Sequence, residues 1–286
     1  MTRQHEELLE RILAAARIDG GIRALALVGS GARGEGLNDE YSDIDLVLVT
    51  DSPERYVDSA AWAEAIGPAW FSFSESVPEA YHRERRFLFA GGLDVDVVVV
   101  EANRLKTDPE SLVIAREICS RGIRVILDKD GLDSAFEGLV GAIRPFSFPA
   151  AAEFANLTSD FYFHYLWAIK KCLRGEYWVA LQCVNGYLKR KTLSALEWYE
   201  RSVHGTDYDT RYEGRYLERW IDDDLRGDLA PTFAACDKDG ILDALDATFR
   251  FFTKVARGAA TALSYPFPEA AIAELEAHAG RLKEPI

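Results

Sequence analysis

The sequence predicts an N-terminal α/β domain followed by an all-helical one, and three observations carry that division. Up to about residue 140, short apolar runs alternate with glycine-marked turns and helical stripes. Beyond it there is almost no period-two pattern, only helical spacing. Between the two, "AIRPFSFPAAAEF" carries Pro145 and Pro149 and reads as a linker feeding a helix.

Taken in order, Leu8, Leu9, Ile12, Leu13 and Ala16 form a helical stripe near the start. "RALALVGS" (23–30) is an apolar run ending in a glycine turn, and "DIDLVLVT" (43–50) is a second strand. "SPERYVDSAAWAEAIG" (52–67) reads as one helix opened by Ser52 and Pro53. "AWFSFSES" and "ERRFLFA" are short aromatic strands, "GGLDVDVVVV" is a long buried one, and "IRVILDKDG" is a strand running into a turn. "SLVIAREICSRG" is helical. In the second half, one long stretch reads as two helices broken at Arg174-Gly175. "RYLERWIDDDL", "GILDALDATFRFFTKVARGAATALS" and "PEAAIAELEAHAGRL" continue in helix.

Composition narrows the classes. The chain has 286 residues, 48% hydrophobic and 28% charged, enough for a normal core. Its net charge of −14 repels nucleic acid and favours cationic ligands, so no nucleic-acid partner is expected. No apolar run reaches the length of a membrane helix, and "MTRQHEELLERILAAAR" is too charged for a signal peptide. Cys119, Cys172, Cys183 and Cys236 lack C-x-x-C spacing and read as reduced core thiols of a cytoplasmic protein. His5, His82, His164, His204 and His278 are scattered, so no zinc site is expected.

Gly29, Gly31 and Gly34 spell the dinucleotide fingerprint G-x-G-x-x-G after a strand. That fingerprint needs a crossover helix, and "EGLNDEYS" before Asp43 is too short and polar to supply one. No G-K-[ST] follows the glycines, so a Walker A loop is absent too. What remains is the aspartate pair. On a strand Asp43 and Asp45 project to one face, with Ile44 on the other beside Leu46 and Leu48. Asp94 and Asp96 repeat the pattern.

Neither strand holds a Lys or Arg to offset these buried-strand carboxylates, which points to a divalent metal on oxygen ligands, magnesium by preference. A glycine-serine turn beside such a metal suits a nucleoside triphosphate. Backbone amides at Gly29 and Gly31, the Ser30 hydroxyl and the Arg33 fork would meet its phosphates. A third carboxylate would take the proton of an attacking hydroxyl. The chemistry this describes is in-line displacement at the α-phosphorus, with pyrophosphate leaving.

Gly29-Ser30, Asp43-Ile-Asp45 and a further acid in "DVDVVVV" together resemble the nucleotidyltransferase superfamily of DNA polymerase β and the antibiotic adenylyltransferases. The third acid is Asp94 or Asp96; the apolar run after Asp96 resembles the family's third catalytic strand better. "IRPFSFPAAAEF", "CLRGEYWVAL", "YEGRYLERWI" and "FRFFTKVARGAATALSYPFP" are similar to stretches of bacterial aminoglycoside 6-adenylyltransferases. Leu173 to Tyr177, "LRGEY", also resembles lincosamide nucleotidyltransferases, and "GARGEG" is richer in glycine than the streptomycin-modifying group.

The resemblance implies an α+β architecture. A polymerase β-like nucleotidyltransferase domain, a mixed sheet with flanking helices, fills 1–140, and an all-α helical-bundle domain over 141–286 closes over the nucleotide and binds the acceptor. Asp43, Asp45 and Asp96 would hold Mg2+, Asp96 serving also as general base. Lys170 or Lys171 would contact the triphosphate of ATP. Tyr162, Tyr165, Trp167 and Trp178 are core or stacking candidates, and Asp222 to Asp224 a solvated turn or an attractant for ammonium groups. The expected acceptor is an aminoglycoside, then a lincosamide, on a monomer or homodimer. A protein-adenylylating enzyme and a non-catalytic nucleotide-binding relic stay open as alternatives.

Overall fold

The computed structural model of the chain describes residues 2–32, 39–77, 82–107, 122–137 and 146–284. The chain divides into two compact units, 1–144 and 145–286.

Unit one is built on a six-stranded mixed sheet. Its strands are β1 (Ile22–Leu27), β2 (Ile44–Thr50), β3 (Ala69–Val77), β4 (His82–Phe89), β5 (Leu93–Glu101) and β6 (Arg124–Asp128), in the order β3-β4-β5-β2-β1-β6. β2 and β5 run parallel, and the other neighbours run antiparallel. Because side chains alternate, the strands serve two cores. Leu25, Leu27, Leu46, Leu48, Val95 and Val97 pack with α1 (Arg3–Ile18) and with Tyr56 and Trp62 on one face. Ala24, Ala26, Val47, Val49, Val98 and Val100 pack with α2 (Ala102–Thr107) and with Phe136 on the other. Both faces being covered explains why β2 and β5 read as near-continuous apolar runs.

The segment 52–67, expected as one helix, is instead a short α-helix (Pro53–Val57) and a 3-10 turn (Ala61–Ala65). The Ser52 side chain makes no capping bond, so little holds the start of a longer helix. Both pieces still bury Tyr56, Val57 and Ala63 under the sheet. The helix expected at "SLVIAREICSRG" falls, but for its last residue, outside the described residues, as does Cys119.

Unit two is helical throughout: α3 (Ala151–Leu173), α4 (Tyr177–Gln182), α5 (Leu188–His204), α6 (Leu217–Trp220), α7 (Asp223–Leu229), α8 (Lys238–Leu263) and α9 (Glu269–Lys283). α3 ends at Arg174, and Gly175 takes a positive φ of 79° that favours glycine. A π-helical turn, Cys183–Tyr187, joins α4 to α5. It is held by Lys189, whose ammonium donates to the Val184 and Thr232 carbonyls and to Thr248 Oγ1 at 3.0, 2.7 and 2.9 Å.

The core of this unit is aromatic. Phe161 of α3 stacks on Phe252 of α8 with centroids 3.6 Å apart, and Tyr162, Tyr165 and Phe249 surround them. Cys172 and Cys183 are buried as expected, whereas Cys236 is exposed, because it precedes the Asp237 cap of α8 rather than lying on a helix face. Among the described residues, no helix is long and apolar enough to cross a membrane. Phe252→Ala removes the buried half of the Phe161 stack and is expected to cost about 3–5 kcal/mol in urea unfolding. A cost under 1 kcal/mol would contradict this packing.

Candidate active site

The sheet brings three aspartates together. β2 and β5 pair in parallel with Asp45 directly opposite Asp96. Both belong to the face of Val47 and Val98, so their side chains are neighbours. Asp43 lies just before β2 on the same parity. One carboxylate oxygen from each of Asp43, Asp45 and Asp96 lies within 4.8 Å of the others, and all three residues are half-buried. Asp94 is exposed and is not one of the three.

The glycine turn is seated against this cluster. Val28 N donates to the Asp45 carbonyl at 3.0 Å, which locks the end of β1 to the start of β2. The next residue, Gly29, has a φ of +65° and opens a single helical turn, Gly29–Ala32. A Cβ on Gly29 would stand 2.1 Å from Asp45 Oδ2. Both the backbone angle and the carboxylate therefore demand glycine at this position. Arg33 lies outside the described residues.

Two groups beside the cluster were not evident in the sequence. The Gly91-Gly92 hairpin pairs β4 with β5 so that Arg86 faces Asp96, with Arg86 Nε 3.4 Å from Asp96 Oδ2. The same guanidinium reaches Glu84 at 3.1 Å and Glu75 at 3.4 Å. The strand itself holds no cation, but its hairpin partner supplies one, and counting outward from the two glycines would have found it. The other is His5, buried in α1, with Nε2 2.9 Å from the Ser42 carbonyl that precedes Asp43.

Burial pushes the Asp96 carboxyl up to about 6; Arg86 opposes the rise, and Asp43, Glu84 and Asp94 add to it. Three converging half-buried carboxylates repel one another and are all hard oxygen donors. That donor set fits Mg2+, which takes carboxylate oxygens and keeps several waters.

The remaining candidates lie in unit two. The Lys171 ammonium is paired with Glu176 at 2.7 Å and stands over the Trp167 ring. Lys170 is exposed and lines a groove of about 400 Å³ with Tyr162, Phe163, Trp167 and Leu275. Tyr162 and Tyr165 are core residues whose hydroxyls bond Thr253 and Asp246, while Trp178 is exposed.

A family model for streptomycin adenylyltransferase matches residues 2–282, nearly the whole chain. The chain belongs to the streptomycin adenylyltransferase family. It is therefore an adenylyltransferase, an enzyme of the nucleotidyltransferase class. An aminoglycoside 6-adenylyltransferase of Bacillus subtilis is 20% identical over 276 residues, covering 93% of this chain and 94% of the relative. One of Staphylococcus aureus is 20% identical over 240 residues, covering 81% and 82%. Among solved structures, the chain is similar to an aminoglycoside 6-adenyltransferase from Bacillus subtilis. That match has 16% identity and a TM-score of 0.45, and covers 98% of this chain and 99% of the other.

The raised Asp96 carboxyl has a consequence for stability. In the metal-free protein its charged form is penalised, so its contribution is full below about pH 4 and is lost as the pH rises to about 6. In EDTA, Asp96→Asn should match the wild type near pH 4 and exceed it by about 3 kcal/mol at pH 7 in urea unfolding. Parallel curves for the two proteins across that range would refute the assignment.

Proposed function

We propose that this member of the family transfers AMP from ATP to a hydroxyl of an aminoglycoside, releasing pyrophosphate, in a magnesium-dependent reaction. The observation that carries the reading is the convergence of Asp43, Asp45 and Asp96 beside Gly29. In this reading 1–140 is a polymerase β-like catalytic domain and 141–286 the acceptor-binding domain.

Asp43, Asp45 and Asp96 hold Mg2+, which when bound neutralises phosphate charge and makes the α-phosphorus easier to attack. The rest is the work of the chain's own groups. The turn at Gly29 and Ser30 presents backbone amides to phosphate oxygens, with Arg33 as a further donor. Asp96 accepts the proton of the attacking hydroxyl, and a carboxyl pushed upward by burial is a better base than a solvated one. Arg86 fixes the direction in which that carboxylate points. Lys170, exposed and set among aromatic rings, is the better of the two lysines for a triphosphate, since Lys171 is engaged by Glu176.

The acceptor class rests on the two relatives, each named an aminoglycoside 6-adenylyltransferase, and on the net charge of −14, which favours a polycationic acceptor. Lincosamides, with fewer positive charges, come second. In this reading the enzyme works in the cytoplasm, where its co-substrate ATP is available.

The test is to incubate the protein with ATP, Mg2+ and a panel of aminoglycosides and lincosamides and to analyse the products by mass spectrometry. A product heavier by one AMP is expected with an aminoglycoside. Asp45→Asn should lower the rate by more than the roughly 100-fold typical of groups one shell further from a metal. No adduct with any acceptor, or full activity in Asp45→Asn, would sink the proposal.

A further inference from the structure

A second cluster of metal-ligating groups lies in unit two, made of residues the adenylyl-transfer reading does not use. Glu200 and His204 stand four residues apart in the last turns of α5 and therefore share one face. Asp222, at the N-cap of α7, comes from the far end of the connecting segment. One ligand atom from each of the three lies within 4.8 Å of the others. Nε2 of His204 is 2.8 Å from Asp222 Oδ1 and 3.4 Å from Glu200 Oε2.

Glu200 is the telling member. Its side chain is 0% exposed. Oε1 accepts a hydrogen bond from Asp222 N at 3.0 Å, but Oε2 is buried with no hydrogen-bond partner. A buried, unmatched carboxylate oxygen is costly. The His204 ring does not resolve it, because Nε2 carries at most one proton and lies nearer Asp222 Oδ1, at 2.8 Å, than Glu200 Oε2, at 3.4 Å. A divalent cation resolves it, since one ion accepts lone pairs from all three groups and cancels the charge of two carboxylates.

We propose that Glu200 Oε2, His204 Nε2 and Asp222 Oδ1 form a zinc site, completed by water, that ties the end of α5 to the start of α7. One imidazole nitrogen with two carboxylates favours zinc over magnesium or calcium, which take oxygen donors. Ligands at zinc bond lengths sit about 3.3 Å apart in a tetrahedron, and the observed 2.8 and 3.4 Å need shifts of only a few tenths of an ångström.

The segment it would close has reason to be tied. Between His204 and Asp222, three non-glycine residues, Arg211, Glu213 and Tyr216, hold positive φ angles of 57°, 50° and 56°. Such backbone persists only where its surroundings enforce it. Tyr208 already stacks on the His204 ring at 4.5 Å and donates its hydroxyl to the Trp220 carbonyl at 2.8 Å. That ring fixes the imidazole from behind and leaves Nε2 facing the carboxylates.

The experiment uses the metal-stripped full chain carrying Asp45→Asn, which weakens the aspartate cluster of unit one. Zn2+ is titrated in by calorimetry and Co2+ by visible absorption. The expected result is one Zn2+ per chain, a Co2+ spectrum with visible bands of a low-coordinate site, and a thermal midpoint raised by Zn2+. Adding His204→Ala or, separately, Asp222→Asn should weaken Zn2+ binding at least roughly tenfold and abolish the thermal shift, with the circular dichroism spectrum unchanged. Absence of Zn2+ binding at micromolar concentrations, or binding unaffected by both substitutions, overturns the site.

Discussion

The parallel pairing of β2 with β5 is the constraint on which the candidate active site depends. It puts Asp45 opposite Asp96, acid beside acid, where an unconstrained chain would separate them. The strands can hold that arrangement because their other ends are secured. Val47, Val49, Val98 and Val100 continue the same face under α2 and Phe136, and the opposite face is closed by α1. Apolar burial at one end of the strands thus holds repelling charges together at the other. Arg86 offsets part of that repulsion.

Gly29 follows from the same constraint. The end of β1 is hydrogen-bonded to Asp45 through Val28, so the turn that leaves β1 must pass over the Asp45 carboxylate. Only a residue without a Cβ fits there, and the positive φ points to the same residue type. The first glycine of the apparent dinucleotide loop, Gly29, is thus explained by closeness to an aspartate. β2, the next strand in sequence, pairs antiparallel with β1, a connection that requires no crossover helix.

Much of this was legible in the residues. Alternation put Asp43 and Asp45 on one face and Leu46 and Leu48 on the other, and the valine run after Asp96 marked a strand buried on both sides. What the sequence could not settle alone was pairing across strands. Asp96 became the partner of Asp45, rather than Asp94, through register between strands more than forty residues apart. Arg86 lies on a different strand from the acids, and only the two-glycine hairpin puts it opposite Asp96. The helix expected over 52–67 broke because the sheet rewards short pieces that each bury a ring, Tyr56 and Trp62, over one continuous helix. In unit two, the i, i+4 spacing of Glu200 and His204 is common on solvated helix faces, and only the fold brings Asp222 to them.

The central claim is that Asp43, Asp45 and Asp96 together hold the cation that serves a nucleotide triphosphate. A crystal structure of the wild-type chain with Mn2+ and a non-hydrolysable ATP analogue tests it most directly, because manganese reports its position by anomalous scattering. The account predicts an anomalous peak bounded by those three carboxylates, with phosphate oxygens against the turn at Gly29 and Ser30. A well-ordered nucleotide whose metal lies away from these aspartates would contradict it.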